Sequence, residues 1–364
     1  MKRLENLRNR RIPLDEARLR TFAKAAEVDN ESYEWLIEAT KPIEEKYTNE
    51  TFAQGDRVRD QLKNNLSITH DSEFEYQGSV TSDTHVQYHS DIDLLVLNGV
   101  YTTYDGGYPV SNPVSNEVVV DSLLDLRKDS VKILKTQFWK ATVDESGNKA
   151  VAISGGSLTR DIDVVFCNWW DTKAYLENKV RANRGIQVLD VDSTTRIGNK
   201  PFLHNWYIND KDTRVGGGLR KVIRLLKNLK YDKEPNASIS SYDIAALGFE
   251  MQDSDLIVAP GSYLALAKNA SAYLNGLINN SQLRDSLYVP NGTRKIFGTD
   301  GASLASLKEI TSELDLLLAD IPRDLSNIIS FSEARGNFTK SASWTEARAS
   351  RVREVTDRIR AQDV

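Results

Sequence analysis

The hydrophobic pattern divides the chain into three parts. Over residues 13–66, apolar side chains recur at helical spacing, which predicts one long or two shorter amphipathic helices. Short apolar runs typical of β-strands then alternate with polar loops, and the remainder of the chain is again helical in pattern. We therefore predict an α+β fold: a helical brace (1–70) packs across a mixed-sheet lobe with helices (71–205) and an α-helical lobe (206–364).

Two apolar runs of the middle part begin with acidic residues. DIDLLVL (91–97) continues as consecutive apolar residues after its acidic start, which is typical of a central strand covered on both faces. FEYQ (74–77) precedes it and is expected to pair with it. DIDVVF (161–166) has the same form and is expected to lie beside it. The acidic residues would then lie at strand ends, in a cleft between the lobes.

The acidic residues predict a metal site. Successive side chains alternate along a strand, so Asp91 and Asp93 point to the same face. Neighbouring carboxylates raise one another's pKa unless a cation intervenes, and Mg²⁺ prefers oxygen ligands. Asp163, which enters the apolar run directly, is the expected third ligand, with Asp161 as the alternative. Three carboxylates suit two Mg²⁺ ions, or Mn²⁺ in their place, in phosphoryl transfer.

Two short segments contain candidate phosphate contacts. Gly78 and Ser79 directly follow the first strand, and glycine lets a phosphate approach the backbone closely, although Gly-Ser is also common in simple turns. Ser240, Ser241 and Tyr242 open a later apolar helix. A serine hydroxyl there either caps the helix or donates to a phosphate, and the tyrosine ring can stack on a base.

A basic helix is predicted over residues 218–230. Its apolar stripe leaves Arg220, Arg224 and Lys227 together on another face, with Lys230 one turn further on. Phosphoryl transfer requires cationic groups near the triphosphate, and this face is a candidate for lining the cleft. The alternative is an ordinary solvated face, since basic amphipathic helices are common.

Composition narrows the setting. The formal net charge of −5 and the pI of about 5.6 argue against a protein that holds long nucleic acid through a basic surface. The charged N-terminus lacks an apolar signal core, and no run approaches the roughly 18 apolar residues of a membrane span. We therefore expect a cytoplasmic protein without a membrane partner.

Cysteine and histidine are not expected to bind metal. The single cysteine, Cys167, lies in an apolar run and is expected to be buried, and one cysteine supports neither a disulfide framework nor a cysteine-rich zinc module. His85, His89 and His204 share no short spacing with the acidic residues. We expect them to be surface or loop residues.

The order of these motifs resembles a known superfamily. Between residues 70 and 250 the chain is similar to the polymerase-β-like nucleotidyltransferases, and within them to the bacterial cGAS/DncV-like group. The motifs that carry the resemblance are QGS (77–79), SDIDLLVL (90–97), DIDVVF (161–166), RLLKNLK (224–230) and SSYDIAAL (240–247). The absence of a cysteine and histidine cluster for a zinc thumb argues against a sensor of double-stranded DNA.

The resemblance implies roles for these residues. Asp91, Asp93 and Asp163 would bind two Mg²⁺ ions, and Gly78 and Ser79 would grip the triphosphate. Lys227 and Ser241 would contact the donor phosphates, and Tyr242 would stack on the donor base. The full set of nucleotide-binding candidates is Gly78, Ser79, Lys227, Lys230, Ser241 and Tyr242.

The resemblance also implies an activity. Such enzymes join NTPs, ATP expected among them, into a cyclic di- or trinucleotide that acts on a separate effector in antiphage (CBASS) signalling. The alternative is the same chemistry with another acceptor: an RNA 3′ end, a linear 2′-5′ oligoadenylate, a protein or an aminoglycoside. A scaffold that has lost turnover is disfavoured by three acidic ligand positions. Base preference, linkage, ring size, activating signal and oligomeric state are left open.

Overall fold

The computed structural model describes Leu7 and residues 31–86, 91–106 and 114–321. Among the residues described before the sheet there are two helices, as the pattern predicts: α1 (Glu31–Thr40) and α2 (Glu45–Asn65). A 3₁₀ turn (Ile68–His70) leads from α2 into the first strand. His89 and the charged C-terminal stretch that was predicted as a helix lie outside the described residues.

In the part of the chain that the structure describes, seven strands form one mixed sheet. They are β1 (Glu73–Gln77), β2 (Ile92–Tyr104), β3 (Thr142–Asp144), β4 (Ala150–Ser154), β5 (Ile162–Asp171), β6 (Gly185–Asp190) and β7 (Thr195–Asn199). The order is β1-β2-β5-β4-β3. β6 pairs with the C-terminal part of β5, and β7 pairs with β6. β2 and β5 are parallel, and the other pairs are antiparallel. The sequence pattern did not predict β3, β6 or β7.

β2 is covered on both faces, as its continuous apolar run predicts. Leu94 and Val96 belong to the core formed with α2 and the following helix, whereas Leu95 and Leu97 belong to a second cluster on the opposite face. All four side chains are 0% exposed. Cys167 lies in the second cluster and is buried, as expected.

The remaining helices lie after β2 in the chain. They are α3 (Asn116–Gln137), α4 (Lys173–Asn178), α5 (Pro201–Arg214), α6 (Gly218–Asp232), α7 (Ser241–Glu250), α8 (Asp253–Leu256), α9 (Tyr263–Asn279), α10 (Ser281–Arg284) and α11 (Leu304–Ala319), with a 3₁₀ turn at Arg181–Asn183. The α+β class is confirmed. The predicted boundary between residues 205 and 206 falls inside α5. Within the described residues, no helix is both long enough and apolar enough to cross a membrane.

The two N-terminal helices pack on different cores. Val58 and Leu62 of α2 belong to the core of the sheet. Trp35 and Leu36 of α1 belong to the core of the helices α5 to α11, and Trp35 Nε1 donates to Asp232 Oδ2 of α6 at 2.8 Å. The assignment of residues 1–70 to one unit therefore stays a prediction.

Candidate active site

The register of β2 and β5 brings acidic residues together. Asp93 lies directly beside Asp163 on the neighbouring parallel strand. The preceding residues, Ile92 and Ile162, are also paired and are 0% exposed, so the aspartates point to the opposite face of the sheet. Asp91 and Asp161 stand just before the two strands, where both are exposed. Four carboxylates thus meet at one end of the sheet.

The acidic residues raise one another's pKa. Burial raises the pKa of Asp93 to about 7, with further contributions from Asp163 and Asp91. Burial also raises the pKa of Asp163, and the negative charges of Asp91 and Asp161 raise it further. Partial burial raises the pKa of Asp91, and the negative charge of Asp161 raises it further. The ionised carboxylates therefore repel one another, and a divalent cation would offset that repulsion.

The donor set at the strand ends suits magnesium. In the part of the chain that the structure describes, no group of three or more His, Cys, Asp or Glu side chains is arranged to hold a metal. The ligands at the strand ends are carboxylates, whose hard oxygens Mg²⁺ prefers. Two of them, Asp93 and Asp163, are already adjacent.

Gly78 lies against the Asp93 carboxylate. Its φ of +87° is in the left-handed region that favours glycine. A Cβ at this position would lie 2.1 Å from Asp93 Oδ2. The backbone after β1 therefore approaches the carboxylate as closely as only glycine allows.

Residues 78–84 form a closed turn, which we call the Gly-Ser loop. Thr84 N donates to Ser79 O at 3.0 Å, and Thr81 Oγ1 donates to Gly78 O at 2.8 Å. Helix α5 also contacts this turn, because Asn205 Nδ2 donates to Thr81 Oγ1 at 2.7 Å. The Gly-Ser loop is thus tied both within itself and to α5.

The basic face of α6 packs on the Gly-Ser loop. Arg220, Arg224 and Lys227 are 6%, 4% and 2% exposed, so the alternative of a solvated basic face is wrong. Each donates to a backbone carbonyl of the loop. The bonds run from Arg220 Nε to Ser82 O at 2.8 Å, from Arg224 Nη2 to Asp83 O at 2.6 Å and from Lys227 Nζ to Thr84 O at 2.9 Å.

Lys227 and Lys230 differ in environment. Burial lowers the pKa of Lys227 to about 7, and the charges of Lys230 and Arg224 lower it further, whereas Asp93 raises it. Lys227 therefore lies within electrostatic reach of the acidic residues. Lys230 is half-buried, which lowers its pKa, and its ammonium lies 5.0 Å from the centre of the Tyr231 ring.

One of the two serines at the start of α7 caps the helix, which leaves the other for a phosphate contact. Ser240 is the N-cap and accepts from Asp243 N at 2.9 Å. Ser241 is the first residue of the helix, and its Oγ lies 3.3 Å from Tyr231 Oη. Because Ser240 supplies the cap, Ser241 remains the candidate for a phosphate.

Tyr242 stacks on a buried histidine. The rings of Tyr242 and His204 are 4.7 Å apart and 25° from parallel. His204 lies in α5 and is 8% exposed, and burial, followed by the charge of Lys227, lowers its pKa to about 4. The expectation of a surface or loop residue was wrong for His204.

His85 lies in a loop, as expected, but it is 2% exposed, and its Nε2 lies 3.0 Å from Thr48 Oγ1.

Several residues around the site were not predicted as functional. Asn291 accepts from Tyr242 Oη at 3.1 Å, and Arg294 pairs with Asp243 at 2.6 Å beside the same ring. Arg160, next to Asp161, stacks 3.9 Å from the centre of the Tyr47 ring. Only the position of Arg160 beside the acidic motif was a sequence signal. The other contacts join distant segments.

Comparisons with known proteins find relatives that match most of this chain. A model of the cGAS/DncV-like nucleotidyltransferase C-terminal helical domain matches residues 207–319. A cyclic dinucleotide synthase CdnE of Yersinia aleksiciae is 36% identical over 299 residues, which are 80% of this chain and 77% of that protein. A c-di-GMP synthase of Capnocytophaga granulosa is 30% identical over 343 residues, or 87% of this chain and 96% of that one.

Solved structures extend the match to three dimensions. The STING-associated CdnE c-di-GMP synthase from Capnocytophaga granulosa superposes with a TM-score of 0.71 at 29% identity, covering 89% of this chain and 98% of that one. The CdnE c-UMP-AMP synthase of Rhodothermus marinus has a TM-score of 0.60 at 18% identity, covering 80% and 97% of the two chains, and shares the fold.

Proposed function

The chain belongs to the cGAS/DncV-like nucleotidyltransferase family, and on that premise we propose that it joins two nucleoside triphosphates into a cyclic dinucleotide. The observation that carries the proposal is the pairing of Asp93 with Asp163 beside Gly78, where carboxylates and a close backbone approach meet. Relatives named as cyclic dinucleotide synthases favour a nucleotide as the acceptor over RNA, protein or aminoglycoside.

Asp91, Asp93 and Asp163 are the proposed ligands of two Mg²⁺ ions. When bound, the ions would lower the pKa of the attacking hydroxyl and stabilise the departing pyrophosphate. Asp163 is preferred to Asp161 because it lies directly beside Asp93 and because its charge adds most, after burial, to the rise in the pKa of Asp93. Asp161 lies in front of the strand, beside Asp91.

The other candidates position the donor nucleotide. Gly78 and Ser79 offer the triphosphate a turn without a side chain at its closest point. Lys227 uses one N–H on Thr84 O, and an ammonium group has two more for phosphate oxygens. Ser241 and Lys230 are further phosphate contacts, and Tyr242, backed by His204, is the base platform.

The proposed reaction uses this arrangement. A ribose hydroxyl of one nucleotide attacks the α-phosphate of the other, a P–O bond forms, and pyrophosphate leaves with the pair of electrons from the broken P–O bond. The attacking hydroxyl gives its proton to a carboxylate of the site, and Asp163, which lies directly beside Asp93, is the proposed acceptor. A second transfer in the same site closes the ring.

Guanine is the base that the comparisons favour. The relative that is 30% identical over 87% of this chain is named a c-di-GMP synthase, so we propose GTP as a substrate. ATP, which the family resemblance suggests, remains the second candidate. We further propose that the product acts on a separate effector protein in the cytoplasm, in antiphage signalling.

The test uses the purified protein with all four NTPs and Mg²⁺. Phosphatase-resistant products are resolved by chromatography and identified by mass. We expect a cyclic dinucleotide that contains guanine and that is lost in the Asp91→Ala/Asp93→Ala double variant. The proposal fails if no cyclic product forms, or if product forms only when RNA, a protein or an aminoglycoside is added.

A further inference from the structure

Arg224 grips one residue of the Gly-Ser loop at several points. Its Nε and Nη2 both donate to Asp83 O, at 3.0 and 2.6 Å, and Nη2 also donates to Asp83 Oδ2 at 2.7 Å. The Arg224 side chain is 5% exposed, whereas the Asp83 side chain is 38% exposed. A planar guanidinium holds two acceptors of one residue at fixed geometry, which a single ammonium group cannot do.

Arg220 has a different task. Its guanidinium pairs with Asp212 Oδ2 at 2.9 Å, and the side chain of Asp212 is 1% exposed. It gives the Gly-Ser loop a bond to the carbonyl of Ser82. Removing Arg220 would leave a buried carboxylate without this cation, so its variants mainly report on folding. Arg224 is the better probe of the loop itself.

The bond to Asp83 also fixes the two ends of the Gly-Ser loop. Thr84, the next residue, donates its N–H to Ser79 O and accepts from Lys227. Asp83 N donates to Val80 O at 3.3 Å. Because the turn is closed by its own hydrogen bonds, a displacement at Asp83 is transmitted to Ser79 and to the anchor of Lys227 together.

We propose that Arg224 and Asp83 are a positioning pair: through the Gly-Ser loop they hold Gly78, Ser79 and Lys227 in register for one triphosphate. This rests on the proposed function. The pair touches the loop and not the reacting atoms, and it secures the loop to α6 of the helical lobe. The proposed triphosphate contacts on the loop and on α6 are therefore linked through this ion pair, alongside the bonds from Arg220 and Lys227 to the loop.

Two conservative variants test the proposal. Asp83→Asn keeps a residue that tolerates the left-handed φ of 54° while it removes the charge. Arg224→Lys keeps the charge and loses the fork. The control is Arg214→Met. Like Arg224, Arg214 is an arginine that forms ion pairs, in its case with Asp210 and Asp253. Its side chain is 52% exposed and lies outside the site.

The measurements are calorimetric binding of a non-hydrolysable GTP analogue with Mg²⁺, steady-state kinetics with GTP, and thermal unfolding. Loss of a charge-assisted hydrogen bond predicts a rise of about tenfold in both Kd and KM for either variant. We expect kcat to change less than about threefold, because the triphosphate is held alike in the ground and transition states. The control should match the wild type.

The outcomes separate the two proposals. If the wild-type protein binds the analogue and both variants bind it equally well, the positioning role is refuted, whatever the product of the reaction. A lower melting temperature with unchanged Kd and KM would likewise show a purely structural pair. If the wild type binds the analogue but makes no cyclic product, the proposed function fails, and the binding data still decide the role of the pair. A wild type that binds no analogue overturns both.

Discussion

The replacement Gly78→Ala tests the close approach of the Gly-Ser loop to Asp93. The new Cβ would lie 2.1 Å from Asp93 Oδ2, whereas real Cβ atoms essentially never come within 3.0 Å of a neighbour. Asp93 Cγ and Cβ are 3.3 and 4.0 Å away, so the end of the side chain can turn aside while the strand stays in place. The carboxylate must then retreat by about 0.9 Å, the difference between these limits.

Activity should suffer more than stability. A misplacement of about 1 Å at a reacting centre lowers the rate by about 100-fold. The left-handed φ of +87° adds a cost of about 1–2 kcal/mol to the free energy of folding when a side chain is present. We therefore expect Gly78→Ala to fold, to unfold at a lower denaturant concentration, and to form product about 100-fold more slowly.

A matched control separates the clash from the backbone strain. Gly261 has a φ of +89°, and a Cβ there would meet no atom within 4 Å. Gly261→Ala should lose a similar free energy of unfolding and keep its activity. Initial rates of pyrophosphate release over a range of Mg²⁺ concentrations, with urea unfolding of both variants, provide the comparison. Gly78→Ala with a rate within about threefold of Gly261→Ala would refute the reasoning.

Three further results are expected. Asp163→Asn should lower kcat at least about 100-fold, because it weakens the stabilisation of transition-state charge. The kcat of Asp161→Asn should stay within about threefold of the wild type. Equal losses of kcat in the two variants would contradict the choice of Asp163 as the third ligand. In EDTA, the folded protein raises the pKa of Asp93 from 3.8 to about 7 and so binds more protons than the unfolded chain. Asp93→Asn should therefore gain stability relative to the wild type as the pH rises from about 4 to about 7, in urea unfolding at several pH values; a constant difference would contradict the shift. Tyr242→Ala should raise the KM for NTP at least about tenfold through lost stacking, whereas Tyr242→Phe, which lacks only the hydroxyl bonded to Asn291, should stay within about threefold.

Local signals predicted the acidic end of the sheet. The continuous apolar runs after Asp93 and Asp163 indicated two buried strands, and the expectation that these strands lie side by side brought the two carboxylates together. The structure pairs these two residues directly. Such features depend on a few consecutive residues, and for that reason a single sequence displays them. The roles of these residues stay predictions until the variants are measured.

Long-range contacts were not predictable in the same way. The basic face of α6 has the same pattern whether it is solvated or buried, and only the position of the Gly-Ser loop, more than a hundred residues away in the chain, decides between them. His204 was expected to be a surface or loop residue because it shares no short spacing with the acidic residues, and spacing along the chain does not reveal its stacking on Tyr242 of another helix. β7 was missed because its sequence, TRIGN, has a short, mostly exposed pattern.

The packing of α1 has a consequence for dividing the protein into fragments. The helical-domain match begins at residue 207, but the core of that region also contains Trp35 and Leu36, which are 1% and 0% exposed. A fragment that begins at 207 would leave an apolar groove uncovered where α1 lies, and it would lack the first half of α5. We expect such a fragment to aggregate unless residues 31–40 are supplied in the same chain or as an added peptide.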